Sequence, residues 1–172
     1  MTAMAPSPPT PPAPTRGEED DGVDLASRAS YRQWSAEKVR FGDIDRHNHL
    51  NNVALCAMLE NGRVEFRERL APEAARDERS AWLLVSLAIT FLGSMGYPGV
   101  VDVGTRPLRV GRSSFELAQG AFDGSRCLAT ARVKAVHADR RTLKPSPIPA
   151  DYRAALLREG AVEDAASKGE RP

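Results

Sequence analysis

Between Val39 and Asn52 the chain reads Val-Arg-Phe-Gly-Asp-Ile-Asp-Arg-His-Asn-His-Leu-Asn-Asn, two carboxylates and two imidazoles set just ahead of a helical pattern. Acyl transfer needs a group that drives attack on a carbonyl and donors that stabilise the oxyanion that follows. A carboxylate beside the unpartnered backbone N–H groups of a helix start offers both. The segment therefore reads as an active site. Metal chemistry is the rival use of the same residues. Asp43, Asp45, His47 and His49 alternate, so a straight strand would present four ligands on one face, a set acceptable to zinc or iron. Gly42 and Asp43 form a turn signal that breaks this alternation, and four residues so close rarely wrap one ion, so no metal is expected. His49 is expected to bond a backbone carbonyl and hold the loop, with His47 in solvent; His137, far along the chain, reads as an ordinary surface or interface residue.

These residues need a strand, a turn and a helix to position them. Ser35 to Phe41 alternates loosely and predicts a strand, and the helix begins near Asn51 or Asn52, either of which can cap it. Val53, Cys56, Ala57, Leu59, Val64, Phe66 and Leu70 give its stripe and Pro72 its stop. A charged connection, Glu73 to Arg79, leads to four strands: Ala81 to Leu92, Val100 to Val110, Ser113 to Phe122 and Arg126 to Ala138, with turn signals at Gly96-Tyr97-Pro98-Gly99, Gly111 and Asp123-Gly124. A last helix spans Ala150 to Arg158. One strand, one long helix and a four-stranded meander describe an α+β fold in which an antiparallel sheet of about five strands wraps a central helix. Such a sheet leaves edges to protect, which predicts a homodimer or a dimer of dimers.

The 172 residues carry a formal net charge of +1 and 41% apolar content. This suits one domain at residues 30–158, flanked by tails expected to be disordered. The tail at residues 1–29 combines a proline-rich run, Pro6 to Pro14, with the acidic run Glu18-Glu-Asp-Asp21, and has no apolar stretch of the kind a secretory signal requires. Residues 159–172 are charged and rich in alanine, and are expected to fray. Near-neutral charge gives no footprint of nucleic-acid binding, and Ala81 to Met95 is too short to span a membrane. Cys56 and Cys127 match no zinc or redox spacing and read as small buried hydrophobes in a protein of the reducing cytoplasm.

Asp43-Ile-Asp45, Asn48-His-Leu-Asn-Asn52, Leu55 and Glu60-Asn-Gly-Arg63 form an ordered set that resembles the signature of hotdog-fold acyl-CoA thioesterases of the 4-hydroxybenzoyl-CoA thioesterase class. In that class a strand with Asp-x-Asp leads through a loop, often Gly-His-Val-Asn-Asn, to a helix with an aromatic residue and Glu-x-Ala-Arg. The likeness runs from about Glu37 to Leu157. Arg109-Val-Gly-Arg-Ser-Ser-Phe115 resembles the usual strand turn and Pro149 to Leu156 the usual closing helix. Asn48 stands where glycine is common, Leu55 where tyrosine is and Gly62 where alanine is. Asparagine tolerates left-handed backbone better than most residues, so the loop shape can survive, whereas losing the aromatic at Leu55 reshapes the acyl pocket.

The resemblance implies that Asp45 is the catalytic carboxylate and that the amide at about Asn52 meets the oxyanion. His49, Asn51, Val53, Arg112 and Ser113 are the expected substrate-binding residues, the last two on the expectation that coenzyme A phosphates meet arginine beside the sheet. Asp43 is expected to bond loop amides, and Glu60, the reserve carboxylate, to pair with Arg63 on the helix surface. The implied activity is hydrolysis of an acyl thioester of coenzyme A or of an acyl-carrier protein, without metal or other cofactor. A hotdog enoyl-thioester hydratase is a poorer fit, because that chemistry generally pairs Asp with a His five residues on, a spacing absent here. A non-catalytic acyl-thioester binding protein is the other alternative, suggested by Asn48 and Leu55.

Overall fold

The computed structural model describes residues 22–164; of the tails expected at 1–29 and 159–172, residues 1–21 and 165–172 lie outside the described residues. Six strands and three helices follow in the order β1 (Gln33–Lys38), α1 (Asn52–Leu70), α2 (Pro72–Arg76), β2 (Ser80–Phe91), β3 (Val100–Val110), β4 (Ser114–Asp123), β5 (Arg126–Asp139), α3 (Ala150–Arg158) and β6 (Val162–Glu163). The sheet runs β1-β3-β4-β5-β2, antiparallel throughout, with β6 added parallel to β3. This is the α+β hotdog arrangement, one long helix laid on an antiparallel sheet.

Strand alternation decides what meets the helix. Leu55, Met58 and Leu59 of α1 pack with Val101 and Val103 of β3, Ala121 of β4 and Ala129 and Ala131 of β5. Towards the helix C-terminus, Phe66 joins Phe115, Leu117, Val133 and the α3 residues Tyr152 and Leu156 in a second cluster. Each fully enclosed side chain of this size stabilises the fold by ~1.5–3 kcal/mol. Gly62 lets the helix settle close to the sheet, since a Cβ there would lie 2.7 Å from Val103 Cγ1 and 3.0 Å from Ser35 Oγ.

A polar clamp joins the same two layers. Gln119, fully buried on β4, donates through Nε2 to the Leu59 carbonyl at 2.9 Å and to Thr105 Oγ1 at 3.1 Å. Its Oε1 accepts from Arg63 Nη1 at 2.8 Å. Arg63 thus turns inward, and the surface pair with Glu60 expected from their spacing is not made; the buried amide is the better partner for a side chain already over the sheet.

Packed residues lie on both sides of positions 30 and 158. On the sheet face away from α1, Tyr31, Trp34 and Phe122 stack edge to face, and the Arg28 guanidinium lies 4.1 Å over Trp34 while pairing with Asp102 at 2.9 Å. Residues just ahead of β1 therefore cover sheet rather than trail from it, anchored as well by the Tyr31 hydroxyl donating to the Leu25 carbonyl at 2.8 Å. At the other end Ala161 is buried and Val162 and Glu163 pair with Arg109 and Val110, where free β3 backbone groups accept an extra strand. His137 is also corrected: it is buried, not on the surface, with Nε2 2.9 Å from Ser80 Oγ and its ring tilted against Trp82.

Candidate active site

After β1 the chain makes a short 3-10 turn, Phe41–Asp43, and then a tight hairpin that delivers it to α1. Asp43 stabilises the turn. Its carboxylate accepts from the Arg40 amide at 2.8 Å and from the Arg40 guanidinium at 2.8 Å, while its carbonyl accepts from Asn51 N at 2.8 Å. The Arg40 side-chain and backbone bonds hold the Asp43 carboxyl below the usual carboxylate range. Asp43 therefore bonds a loop amide, as its position suggests.

Ile44 and Leu50 form an antiparallel bridge. Beyond it Asp45 N donates to the His49 carbonyl at 2.8 Å and Asn48 N donates to the Asp45 carbonyl at 3.0 Å. This is a three-residue hairpin connection whose last residue needs left-handed backbone, and Asn48 supplies it at φ 60°. Asparagine does the work of the glycine common at this place, as its tolerance of that region allows.

Asp45, half-buried, sits at the foot of this turn. Its Oδ1 accepts from His47 N at 2.7 Å and His49 N at 3.1 Å, and these amides, His49's first, hold its carboxyl below the usual range. The carboxylate is anionic throughout the neutral range. No bond to Oδ2 is formed among the described residues.

Asn51 caps α1, its Oδ1 accepting from Val53 N at 2.8 Å. The Val53 amide is taken by the cap, and its side chain is exposed. Asn52, first residue of the helix, keeps an amide that the helix itself has no acceptor for. Asp43 opposes Asn51 through the bond already described and Asp45 opposes His49, so Asp45 and the helix start lie two rungs apart on one small ladder. Asp45 thus stands two residue pairs along the hairpin from the positive end of the helix dipole.

The imidazoles of His47 and His49 are exposed, and His49 contributes to the loop through its backbone carbonyl and amide rather than through its ring. The hairpin scatters the alternating Asp and His set. Among the described residues no three His, Cys, Asp or Glu side chains gather as a metal site.

Arg112 and Ser113 are not brought to this site within a protomer. The Asp45 hairpin packs at the Val100 end of β3, where Lys38 pairs with Val100 and Leu50 N donates to the Met95 carbonyl at 2.7 Å. Arg112 and Ser113 follow Val110 at the other end, roughly 30 Å away along the strand. Leu55 also departs from the groove it was expected to shape, being buried in the core.

Two neighbours of the hairpin were not anticipated. Phe41, 80% exposed, stacks edge to face on Tyr97 at 5.8 Å, and Tyr97 stands with Lys38 and Val100 around an open hollow of about 440 Å³. An exposed aromatic pair is a surface for an apolar ligand. The signal for Phe41 lay in the motif itself; Tyr97 reads only as part of a turn.

Comparison with known proteins gives the family and the fold. A family model described as the thioesterase-like superfamily matches residues 39–156. The chain belongs to the thioesterase-like superfamily. The match begins one residue after β1 and ends inside α3, so it takes in the hairpin, α1 and the whole meander. This superfamily member resembles a protein of Pseudomonas aeruginosa strain PAO1 at 25% identity and TM-score 0.70, over 80% of this chain and 98% of that one. Its fold is shared with a thioesterase-superfamily protein of Jannaschia sp. CCS1, 23% identical with TM-score 0.73 over 81% and 91% of the two chains. A thioesterase of Thermus thermophilus, solved with coenzyme A and zinc, shares it at 21% identity and TM-score 0.65 over 73% and 98%. Comparison with curated proteins gives no match.

Proposed function

We propose that this superfamily member is an acyl-CoA thioesterase in which Asp45 drives hydrolysis and the Asn52 amide stabilises the oxyanion. The observation that carries the reading is the ionised Asp45 carboxylate held two rungs from the start of α1. With Oδ1 fixed by two amides, Oδ2 is the oxygen left for chemistry. It attacks the thioester carbon, the electrons move to the carbonyl oxygen facing the helix N-terminus, and collapse expels the thiolate, leaving an Asp45 acyl anhydride. Water cleaves the anhydride to the carboxylic acid and restores the carboxylate. The exposed Phe41 and Tyr97 receive apolar parts of the substrate, and Asn51 and His49 fix the loop and cap on which the geometry depends.

The same reading proposes a homodimer. β2 is the sheet edge opposite β1, and it exposes Leu84, Val85 and Phe91. Pairing two such edges about a two-fold axis covers them and brings a second chain's surface towards the Asp45 hairpin. Arg112 and Ser113, distant within one protomer, reach a substrate nucleotide only across such an assembly. No described helix is long and apolar enough to cross a membrane. Two unpaired, half-buried cysteines fit the cytoplasmic setting proposed for it.

One observation favours a second reading. The two amide bonds to Asp45 Oδ1 are those that an aspartate serving only the turn would make. An acyl-thioester binding protein would keep them and turn nothing over. Thiol release from a panel of aliphatic and aromatic acyl-CoAs, with a chelator and beside Asp45→Asn, tests the proposal. Turnover that survives chelation and disappears in the variant supports it; tight binding without turnover across the panel supports the second reading instead.

A further inference from the structure

Away from the Asp45 hairpin, α1 leaves part of the sheet uncovered, and a cavity of about 420 Å³ opens between the helix and the β2 and β5 side of the sheet. Its α1 wall is Glu60, Arg63, Val64 and Arg67, of which the two arginines stand ~16 to ~22 Å along the helix from Asn52 at ~1.5 Å per residue. The cavity and the candidate active site of one protomer are thus separate places.

Three aromatic residues form one side of it, among charged neighbours. Trp82 meets Tyr152 edge to face at 5.0 Å and Phe115 at 6.0 Å, and Phe115 meets Tyr152 at 5.6 Å. Set into this apolar surface are two enclosed donors with no hydrogen-bond partner among the described residues, Arg67 Nε and Trp82 Nε1. They belong to neighbouring groups, the Arg67 guanidinium lying 5.3 Å from the indole centroid. An indole N–H only donates and a guanidinium only donates, so neither can satisfy the other.

The carboxylates that line the cavity do not supply the missing acceptor: Glu60 and Glu78 make no ion pair with Arg67. Arg67 forms no ion pair among the described residues. Asp77, at the rim, is engaged by Arg79 at 3.1 Å and by the Ser80 hydroxyl at 3.3 Å. Arg63 is committed to Gln119. What remains is a half-buried cation resting on the Trp82 ring with an adjoining neutral donor, and such a pair of donors favours an anion brought to it. A planar guanidinium suits a carboxylate, and the rings suit an apolar body of aromatic size.

We propose that this cavity is a binding site for a small organic acid, whose carboxylate is held by Arg67 and the Trp82 indole N–H and whose apolar body lies against Trp82, Phe115 and Tyr152. The acid has two possible sources with the same chemistry: the product of a thioester hydrolysis, or an independent acid bound at a second site.

The test is calorimetric titration of the full chain with 3-phenylpropionate and with the neutral 3-phenylpropionamide. The acid is expected to saturate one site per chain and the amide to bind at least tenfold more weakly. Arg67→Gln is expected to abolish the difference between the two, and Arg67→Lys, which keeps the charge without the fork, to shrink it; the lysine variant serves if the glutamine variant does not fold. Equal binding of acid and amide, or a preference unchanged in a folded Arg67 variant, overturns the proposal. Asp45→Asn is expected to leave acid binding unchanged, so this site can stand or fall apart from the hydrolysis reading. In that variant, competition between 3-phenylpropionyl-CoA and the acid identifies the acid as product, and simultaneous binding identifies an independent ligand; both support a carboxylate site.

Discussion

Asp45 and His49 hold each other twice across the hairpin: the Asp45 amide donates to the His49 carbonyl at 2.8 Å, and the His49 amide donates back to Asp45 Oδ1 at 3.1 Å. One bond sets the register of the turn and the other fixes the carboxylate on it. Asparagine keeps an oxygen that can accept the same amides but loses the negative charge. Asp45→Asn should therefore fold and melt close to the parent while thiol release falls by ~10²–10⁴, the range by which a positioned catalytic group accelerates a reaction. Circular dichroism and a thiol assay on one preparation check both halves, and a variant that turns over normally removes Asp45 from the mechanism.

The nucleophilic route predicts where solvent oxygen goes. If an Asp45 anhydride forms and water attacks the aspartyl carbonyl, a single turnover in ¹⁸O-labelled water leaves label in the protein, and mass spectrometry should find it in the peptide carrying Asp45. Label confined to the product acid, with none in that peptide over many turnovers, rules out water attack at an aspartyl anhydride carbonyl.

The His49 and His47 amides lower the Asp45 carboxyl from its ordinary value. Protonation removes the reactive form, so kcat/KM should stay level from neutral pH down through ~3.9, the ordinary aspartate value, and fall only below it. Stability follows the same sign. A depressed folded-state value means these bonds contribute fully above the ordinary pKa, and the contribution is lost as pH falls through the folded value. Brief assays after a pH jump measure the limb before unfolding intervenes; an acid limb centred near neutrality assigns a different group to the chemistry.

Asn48 gives a direct check on the hairpin. At φ 60° a glycine is unstrained, whereas a β-branched residue is forced into a region costing ~1–2 kcal/mol. Asn48→Gly should match the parent in both stability and turnover. Asn48→Val should lose about that stability in urea melts and lose turnover as well, because the carboxylate rides on the same turn.

Much of this was legible in the residues, and what was not has a physical reason. The turn at Gly42 and Asp43, the Asn51 cap and the strands of the meander are local patterns, fixed by capping, turn chemistry and alternation, so α1 begins where the cap predicts and β3 keeps its expected bounds. Asn48 is local too: one residue's backbone tolerance stands in for a missing glycine. The placement of Arg112 depends on strand order, which sends the turn after β3 to the end of the sheet away from the hairpin, and no spacing along the chain reveals that. His137 looked like a surface residue because its strand reads as alternating, yet Trp82 across the ladder covers it. The Arg63 to Gln119 bond joins residues far apart in sequence, and a helical i,i+3 rule naturally preferred Glu60.

Gly62 tests whether the close approach of α1 to the sheet matters to the site. Alanine is the better helix former by up to ~1 kcal/mol, so on propensity alone Gly62→Ala would stabilise. The structure opposes that. The new Cβ would sit 2.7 Å from Val103 Cγ1, a carbon of a fully buried β-branched side chain with no room to turn, and 3.0 Å from the buried Ser35 Oγ. Overpacking of this kind costs ~1–3 kcal/mol, which outweighs the propensity gain over most of that range. The substitution should therefore lower stability by about 1–2 kcal/mol in urea melts. Trimming the obstacle should restore part of it, so Gly62→Ala with Val103→Ala should be less destabilised than the sum of the two single changes. Because α1 moves as a rigid element, the strain also displaces its N-terminus relative to Asp45, and turnover should fall in the single variant and recover in the double. Additive stabilities, with turnover unchanged throughout, would mean that the helix tolerates a methyl group here and that its seating on β3 does not set the geometry of the active site.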